Sequence, residues 1–220
     1  MLNYFSASTI SELICFVIAS ICLIKDSNVV WRSMVVYLFL TCVTELMGVY
    51  FAGPKLSISN HRVYNTYLIF EAGFTHLMFA FLINKYINSK PLIITGFAIF
   101  LLIYIWETVY NRGLQFNITS YKVSSVLFVV YSLYYYYLLH KDDHYIHLKY
   151  SAEFWWVAGA LLFYFTNTAC IIFYKPLSTM LLWNGHHLIH YIMSALNILL
   201  YSCWSYSFIC RKWLTPTSLV

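Results

Sequence analysis

Seven times along the chain a run of about twenty mostly apolar residues is interrupted by a short polar stretch, and that length is what an α-helix needs to cross a bilayer. The runs fall at about residues 9–25, 30–52, 62–85, 91–110, 120–140, 152–174 and 184–210. Lipid offers no partner to backbone N–H and C=O groups, so such runs fold as helices that bond internally and then pack together. The expected fold is therefore all-α: a polytopic membrane protein whose residues 1–220 form a single domain, a bundle of seven transmembrane helices. Seven spans and short loops use nearly all of the 220 residues and leave no room for a soluble domain. Only 10% of the residues are charged and 61% are hydrophobic, whereas a soluble domain carries roughly 25% charged residues.

Local signals bound the runs. Lys25-Asp26 closes the first, Gly53-Pro54 stops the second, and Pro91 opens the fourth, where a missing N–H does no harm. Asn111-Arg112-Gly113 is a turn, and Lys175-Pro176 and Asn184-Gly185 bracket the connection into the seventh run. Tyr134 to Tyr137 suit the headgroup level, and Gly159 between Ala158 and Ala160 invites close helix contact. Met1 to Ser11 carry no basic secretory region, so the first run is expected to be retained.

The net charge of +5 comes from Lys and Arg placed singly between apolar runs, which suits lipid headgroups and argues against nucleic acid as a partner. With the amino terminus outside, Lys25, Arg32, Lys85, Lys90, Lys141, Lys149, Arg211 and Lys212 lie inside. Lys55, Arg62, Arg112, Lys122 and Lys175 then lie outside, and eight against five favours an expected amino terminus outside and carboxyl terminus in the cytoplasm. The six cysteines fall within or at the ends of apolar runs without CxxC or Cys/His spacing, and read as free, buried residues.

The polar residues inside the runs are patterned. His187, His190, Ser194, Asn197 and Tyr201 recur at steps of three and four and share one helical face, opposite Leu188, Ile192, Leu199 and Ile209; the others are expected to pack around this last helix. Thr41, Thr44, Glu45 and Gly48 share a face of the second run, and Tyr64, Tyr67, Glu71 and Thr75 a face of the third, with His76 about 140° from Glu71. Alternating helix direction places Glu12, Glu45, Glu71, Glu107, Asn167, Thr168, His186, His187 and His190 in one half of the membrane. A carboxylate at mid-bilayer costs about 2.5–3.5 kcal/mol, so such groups need partners or a proton. The expected site is a polar pocket open to the outer face, lined by Glu45, Glu71, Asn167, His187, His190 and Asn197. The alternative is hydrogen bonding between helices, worth about 0.6 kcal/mol per contact.

His186-His187-Leu188-Ile189-His190 places two imidazoles at i and i+4, a spacing able to grip one metal ion. The pentapeptide resembles the His-x-x-x-His of the seventh helix in ceramidase-like and adiponectin-receptor-like membrane hydrolases, which implies zinc as cofactor. Those proteins add a third His from the second span, with Ser and Asp nearby, and here the second run has none of the three between Tyr37 and Gly53. The zinc alternative therefore enlists His186, His190 and Glu71. A retinal pigment needs a lysine in the last span, and 183–210 has none. Asn117-Ile118-Thr119 is a glycosylation sequon on the expected outer face.

Tyr64-Asn65-Thr66-Tyr67 with Glu71, Phe154-Trp155, and Asn197-Ile198-Leu199-Leu200-Tyr201 together resemble a group of small seven-helix bacterial membrane proteins with no established activity. That resemblance implies a bacterial inner membrane. The expected function is a receptor-like or sensory module without cofactor or catalysis, acting on an inner-face partner protein through the loops around Lys85 and Lys141 and the tail after Arg211. A zinc-dependent intramembrane hydrolase and a small-solute or proton transporter are the alternatives; no duplicated halves support the transporter.

Overall fold

The computed structural model describes residues 7–51, 60–142, 147–180 and 187–214. In chain order its helices are α1 (Ala7–Leu23), α2 (Val29–Phe51), α3 (His61–Ile83), α4 (Lys90–Tyr110), α5 (Ile118–Lys141), α6 (Ala152–Ile172), α7 (Tyr174–Thr179) and α8 (Leu188–Ile209). A 3-10 turn at Leu148–Tyr150 precedes α6, and a π-helical turn at Cys210–Leu214 extends α8. The described residues contain no β-strand. Six helices (α2 to α6 and α8) are long and apolar enough to cross a membrane, and α1 is a shorter apolar helix of 17 residues. Leu102 is 70% exposed and Phe165 62%, positions that water would penalise and hydrocarbon accepts. The chain is a helical, multi-pass membrane protein.

Two boundaries differ from the expected ones in a way that matters. The sixth run breaks at Phe173, so that Lys175-Pro176 lies inside the separate short helix α7, since Pro is tolerated in a first turn. The last helix begins at Leu188, because His187 is its N-cap with extended backbone (φ −70°, ψ 143°). Residues 183–186, and with them His186, lie outside the described residues, as do Gly53-Pro54 and Asn184-Gly185.

The chain divides into two compact units. The first comprises Met1–Val35 and Asp143–Val220, and here α8 packs against both α6 and α1. Helices α6 and α8 run antiparallel: the Trp156 and Trp204 indoles stack at 5.5 Å, and Trp204 Nε1 donates to the Trp156 carbonyl at 3.1 Å. The Ser207 hydroxyl donates to the Ala152 carbonyl at 2.6 Å. Gly159 makes this approach possible, as expected: a Cβ there would lie 2.9 Å from Cys203 Cβ and 3.4 Å from the Leu200 carbonyl. Helix α1 runs parallel to α8 and buries Glu12, Cys15, Ala19 and Cys22, a face of steps three and four whose small side chains allow close contact. At their shared end Arg211 grips Asp26 with two hydrogen bonds (2.8 and 3.1 Å) and lies over the Trp31 ring, while Lys212 Nζ donates to the Ile21 carbonyl at 2.6 Å.

The second unit is Val36–Asp142. The expected polar faces of α2 and α3 meet: Tyr67 and Thr41 hydroxyls are 2.7 Å apart, and Tyr64 packs where a Cβ on Gly48 would be. Tyr37 stacks on Phe74 at 4.4 Å and on Phe70 at 5.8 Å. Helices α3, α4 and α5 share an aromatic core in which Phe79 and Phe128 stack at 6.1 Å, and Tyr131 lies against Gly96, where any side chain would collide with its hydroxyl. The turn after α4 forms at Asn111-Arg112-Gly113 as expected, with Arg112 (φ 51°) and Gly113 (φ 65°) left-handed and Gly113 N–H donating to the Thr108 carbonyl at 3.0 Å.

Candidate functional site

The six residues expected to line a polar pocket fall in both units. Glu45 and Glu71 belong to the second unit and are half-buried on α2 and α3. The other four belong to the first: Asn167 is buried on α6, Asn197 is half-buried on α8, and His187 and His190 are exposed at the start of α8. The polar stripe on α8 thus grades from exposed at His187 to buried at Tyr201, and the packed face beside it is Leu196, Leu200, Trp204, Ser207 and Phe208. His187, as N-cap, stands outside the helical repeat that sequence periodicity assumed. Among the described residues no three His, Cys, Asp or Glu side chains converge as metal ligands; His186 of the zinc alternative is outside them, while His190 and Glu71 are within.

Glu107, which the sequence assigns to the polar half but not to the pocket, is an acid with three hydrogen bonds to its carboxylate. Its carboxylate, buried at the end of α4, accepts the N–H groups of Thr119 (2.9 Å) and Ser120 (2.8 Å) and the Ser120 hydroxyl (2.6 Å). These N–H groups open α5, and a helix start is where a carboxylate is best received, because the free donors and the dipole both point at it. Asn65 is the second anchor: its Nδ2 donates to the Gln115 carbonyl at 2.8 Å and its Oδ1 accepts Asn117 N–H at 3.0 Å, while Tyr104 donates to its carbonyl at 3.1 Å. Asn117 is fully buried and donates to Thr108 Oγ1 at 2.7 Å, so the folded sequon offers no amide to a glycosyltransferase. These groups fix the ends of α3, α4 and α5 to one another.

His76, 2% exposed, is held differently. Its Nδ1 donates to the Ala72 carbonyl at 2.8 Å, and the ring is met by Phe97, Phe128 and Tyr131 at 5.2, 5.0 and 5.6 Å. Neither its Nε2 nor the Tyr131 hydroxyl has a hydrogen-bond partner among the described residues. An imidazole in an aromatic box fills space between helices.

A cavity of about 520 Å³ opens in the second unit between α2 and α3, lined by Leu40, Thr44, Met47, Arg62, Val63, Thr66, Tyr67 and Phe70. None of the six expected pocket residues is among these. Thr44 donates to the Leu40 carbonyl at 2.8 Å and Thr66 to the Arg62 carbonyl at 3.0 Å, so both threonine hydroxyls are engaged within their own helices. The sequence signal for it is partial: it shows the two faces, but not the space left where they pack. Outside the apolar segments, Asp26 is the perturbed group. Burial pushes its carboxyl up, and the Arg211 hydrogen bonds, the Asn28 N–H and the charges of Arg211 and Arg32 outweigh this and hold it below its ordinary value of 3.8.

Compared with protein-family models, curated proteins and solved structures, the chain matches none of them.

Proposed function

We propose that the protein is a receptor-like, non-enzymatic membrane module of seven crossings, which takes up a ligand in the outer half of the bundle and passes a helix displacement to a separate inner-face protein. The observation that carries this reading is the α2–α3 cavity: its described lining offers shape, apolar surface and one cation, but no carboxylate, imidazole or thiol to serve as base, nucleophile or metal ligand. The buried acid Glu107 is occupied in holding a helix end, which favours structural use of the interior polar groups over catalytic use.

Seven crossings are favoured by the pairing of α1 with α8. The two helices are parallel and joined at their carboxyl-terminal ends, so six crossings from α2 to α8 return the chain to the face where α1 ended. Helix α1 must then start on the opposite face, and its 17 residues reach about 25 Å of a core about 30 Å thick. The excess of Lys and Arg directs the Asp26–Arg211 end inward, and the π-helical turn there carries Trp213, 58% exposed, as a surface for the partner. A bacterial inner membrane is the proposed location.

Metal analysis of the purified full chain tests the choice between receptor and hydrolase. No bound zinc is expected; stoichiometric zinc that disappears in His187→Ala and His190→Ala variants would overturn the receptor reading.

A further inference from the structure

We propose that the groove between α2 and α3 binds one acyl chain of an anionic phospholipid, with the lipid phosphate held by Arg62. The inference deepens the receptor reading above by naming the ligand class at the same cavity. The groove is open and runs alongside two contacts between its helices. In one Tyr37 stacks on Phe74 and the Thr41 and Tyr67 hydroxyls meet; in the other Tyr64 packs on Gly48. Beside these contacts the two helices leave a cavity of about 520 Å³, within the range of small-molecule sites.

The lining chooses between ligand classes. Thr44 and Thr66 spend their hydroxyl protons on carbonyls of their own helices, and Tyr67 pairs with Thr41, which leaves methyl, methylene, thioether and ring surface facing the space. A polar solute entering there would lose its water without recovering hydrogen bonds. A hydrocarbon chain arriving from the surrounding bilayer loses none. From Arg62 to Phe70 the groove follows eight residue steps of α3, about 12 Å, close to the depth of one leaflet in a core about 30 Å thick. It therefore fits a chain from a single leaflet and is too short to serve as a passage across the membrane.

Charge sets the headgroup. Arg62 is exposed in the first turn of α3, at the mouth of the groove, and no described carboxylate pairs with it. A guanidinium receives a phosphate through two parallel hydrogen bonds, and the positive end of the helix dipole reinforces the preference for an anion. A choline headgroup would set its own cation against the same site.

Native mass spectrometry of the full chain in detergent, with phosphatidylglycerol and phosphatidylcholine added in competition, tests the assignment. The wild type is expected to retain one phosphatidylglycerol with a preference of about tenfold, the scale of one charge-assisted contact. Arg62→Gln is expected to erase the preference, Lys122→Gln, which removes another exposed cation of the proposed outer face, to preserve it, and Thr66→Trp, which fills the groove from its exposed side, to lower occupancy by both lipids. Equal uptake of the two lipids by the wild type, or a preference that survives Arg62→Gln, overturns the proposal. So does full occupancy in Thr66→Trp. If Thr66→Trp does not fold, Arg62→Gln, a change at an exposed position, decides alone. Bound zinc would refute the receptor reading while leaving this lipid comparison readable.

Discussion

The Glu107 carboxylate accepts both the N–H of Ser120 at 2.8 Å and its hydroxyl at 2.6 Å, so the last turn of α4 supplies the cap that α5 lacks from its own N-cap residue. Asn117, at that N-cap position, makes no capping bond: its Nδ2 donates to Thr108 Oγ1, and its Oδ1 meets no partner among the described residues. An intramembrane acid that could have been read as a proton carrier is thus a fixture of the backbone.

Replacing Glu107 by Gln should therefore weaken the fold. The amide would turn a donor toward N–H donors, at a cost of about 1–3 kcal/mol. Thermal unfolding in detergent should show a lowered midpoint for Glu107→Gln and a smaller drop for Ser120→Ala, which removes one of the three bonds. An unchanged midpoint in Glu107→Gln would show that the carboxylate is not structural.

Two glycines should respond oppositely to the same substitution. Gly159→Ala puts a methyl group 2.9 Å from Cys203 Cβ and 3.4 Å from the Leu200 carbonyl, and should cost about 1–3 kcal/mol by forcing α6 from α8. Gly73→Ala meets nothing nearer than Phe97 at 4.0 Å and should be neutral, or stabilising by up to about 1 kcal/mol through helix propensity. Comparison of the two unfolding midpoints checks this. Equal effects would contradict the close packing of α6 on α8.

The Asp26–Arg211 pair makes a pH-dependent contribution of definite sign. A carboxyl held below its ordinary 3.8 when folded adds stability in full above that value and loses it as pH falls through the lower folded pKa. Asp26 and Arg211 side chains are 11% and 25% exposed, so the contribution is on the order of 1 kcal/mol. Asp26→Asn should lower the unfolding midpoint near pH 7, and the gap to wild type should close only below pH 3.8. A gap that persists unchanged to lower pH would assign the effect to packing.

Much of this was legible in the sequence, for physical reasons that differ by element. The all-helical fold and the placement of the six longer helices follow from runs whose length matches the bilayer, and the close approach at Gly159 follows from the absence of a side chain. The meeting of α2 and α3 through Thr41, Gly48, Tyr64 and Tyr67 was readable as two faces. Periodicity could not show that His187 turns extended before α8, because a capping residue and a helical one can have the same spacing. Glu107 gave no sign of its partners, since backbone N–H groups carry no residue identity. The groove was hidden because it depends on how two helices pack, which side-chain spacing does not specify. Arg62 was read only as one of the outer-face charges.

The proposed seven-crossing receptor places the start of α1 and the end of α8 on opposite sides of the membrane. The direct measurement is labelling by a membrane-impermeant maleimide of single cysteines at Ala7→Cys and Trp213→Cys, in a background free of the six native cysteines, with sealed right-side-out vesicles. Labelling at position 7 without permeabilisation, and at position 213 only after it, is expected. Labelling of both from the same side would leave an even number of crossings and contradict the seven-crossing receptor.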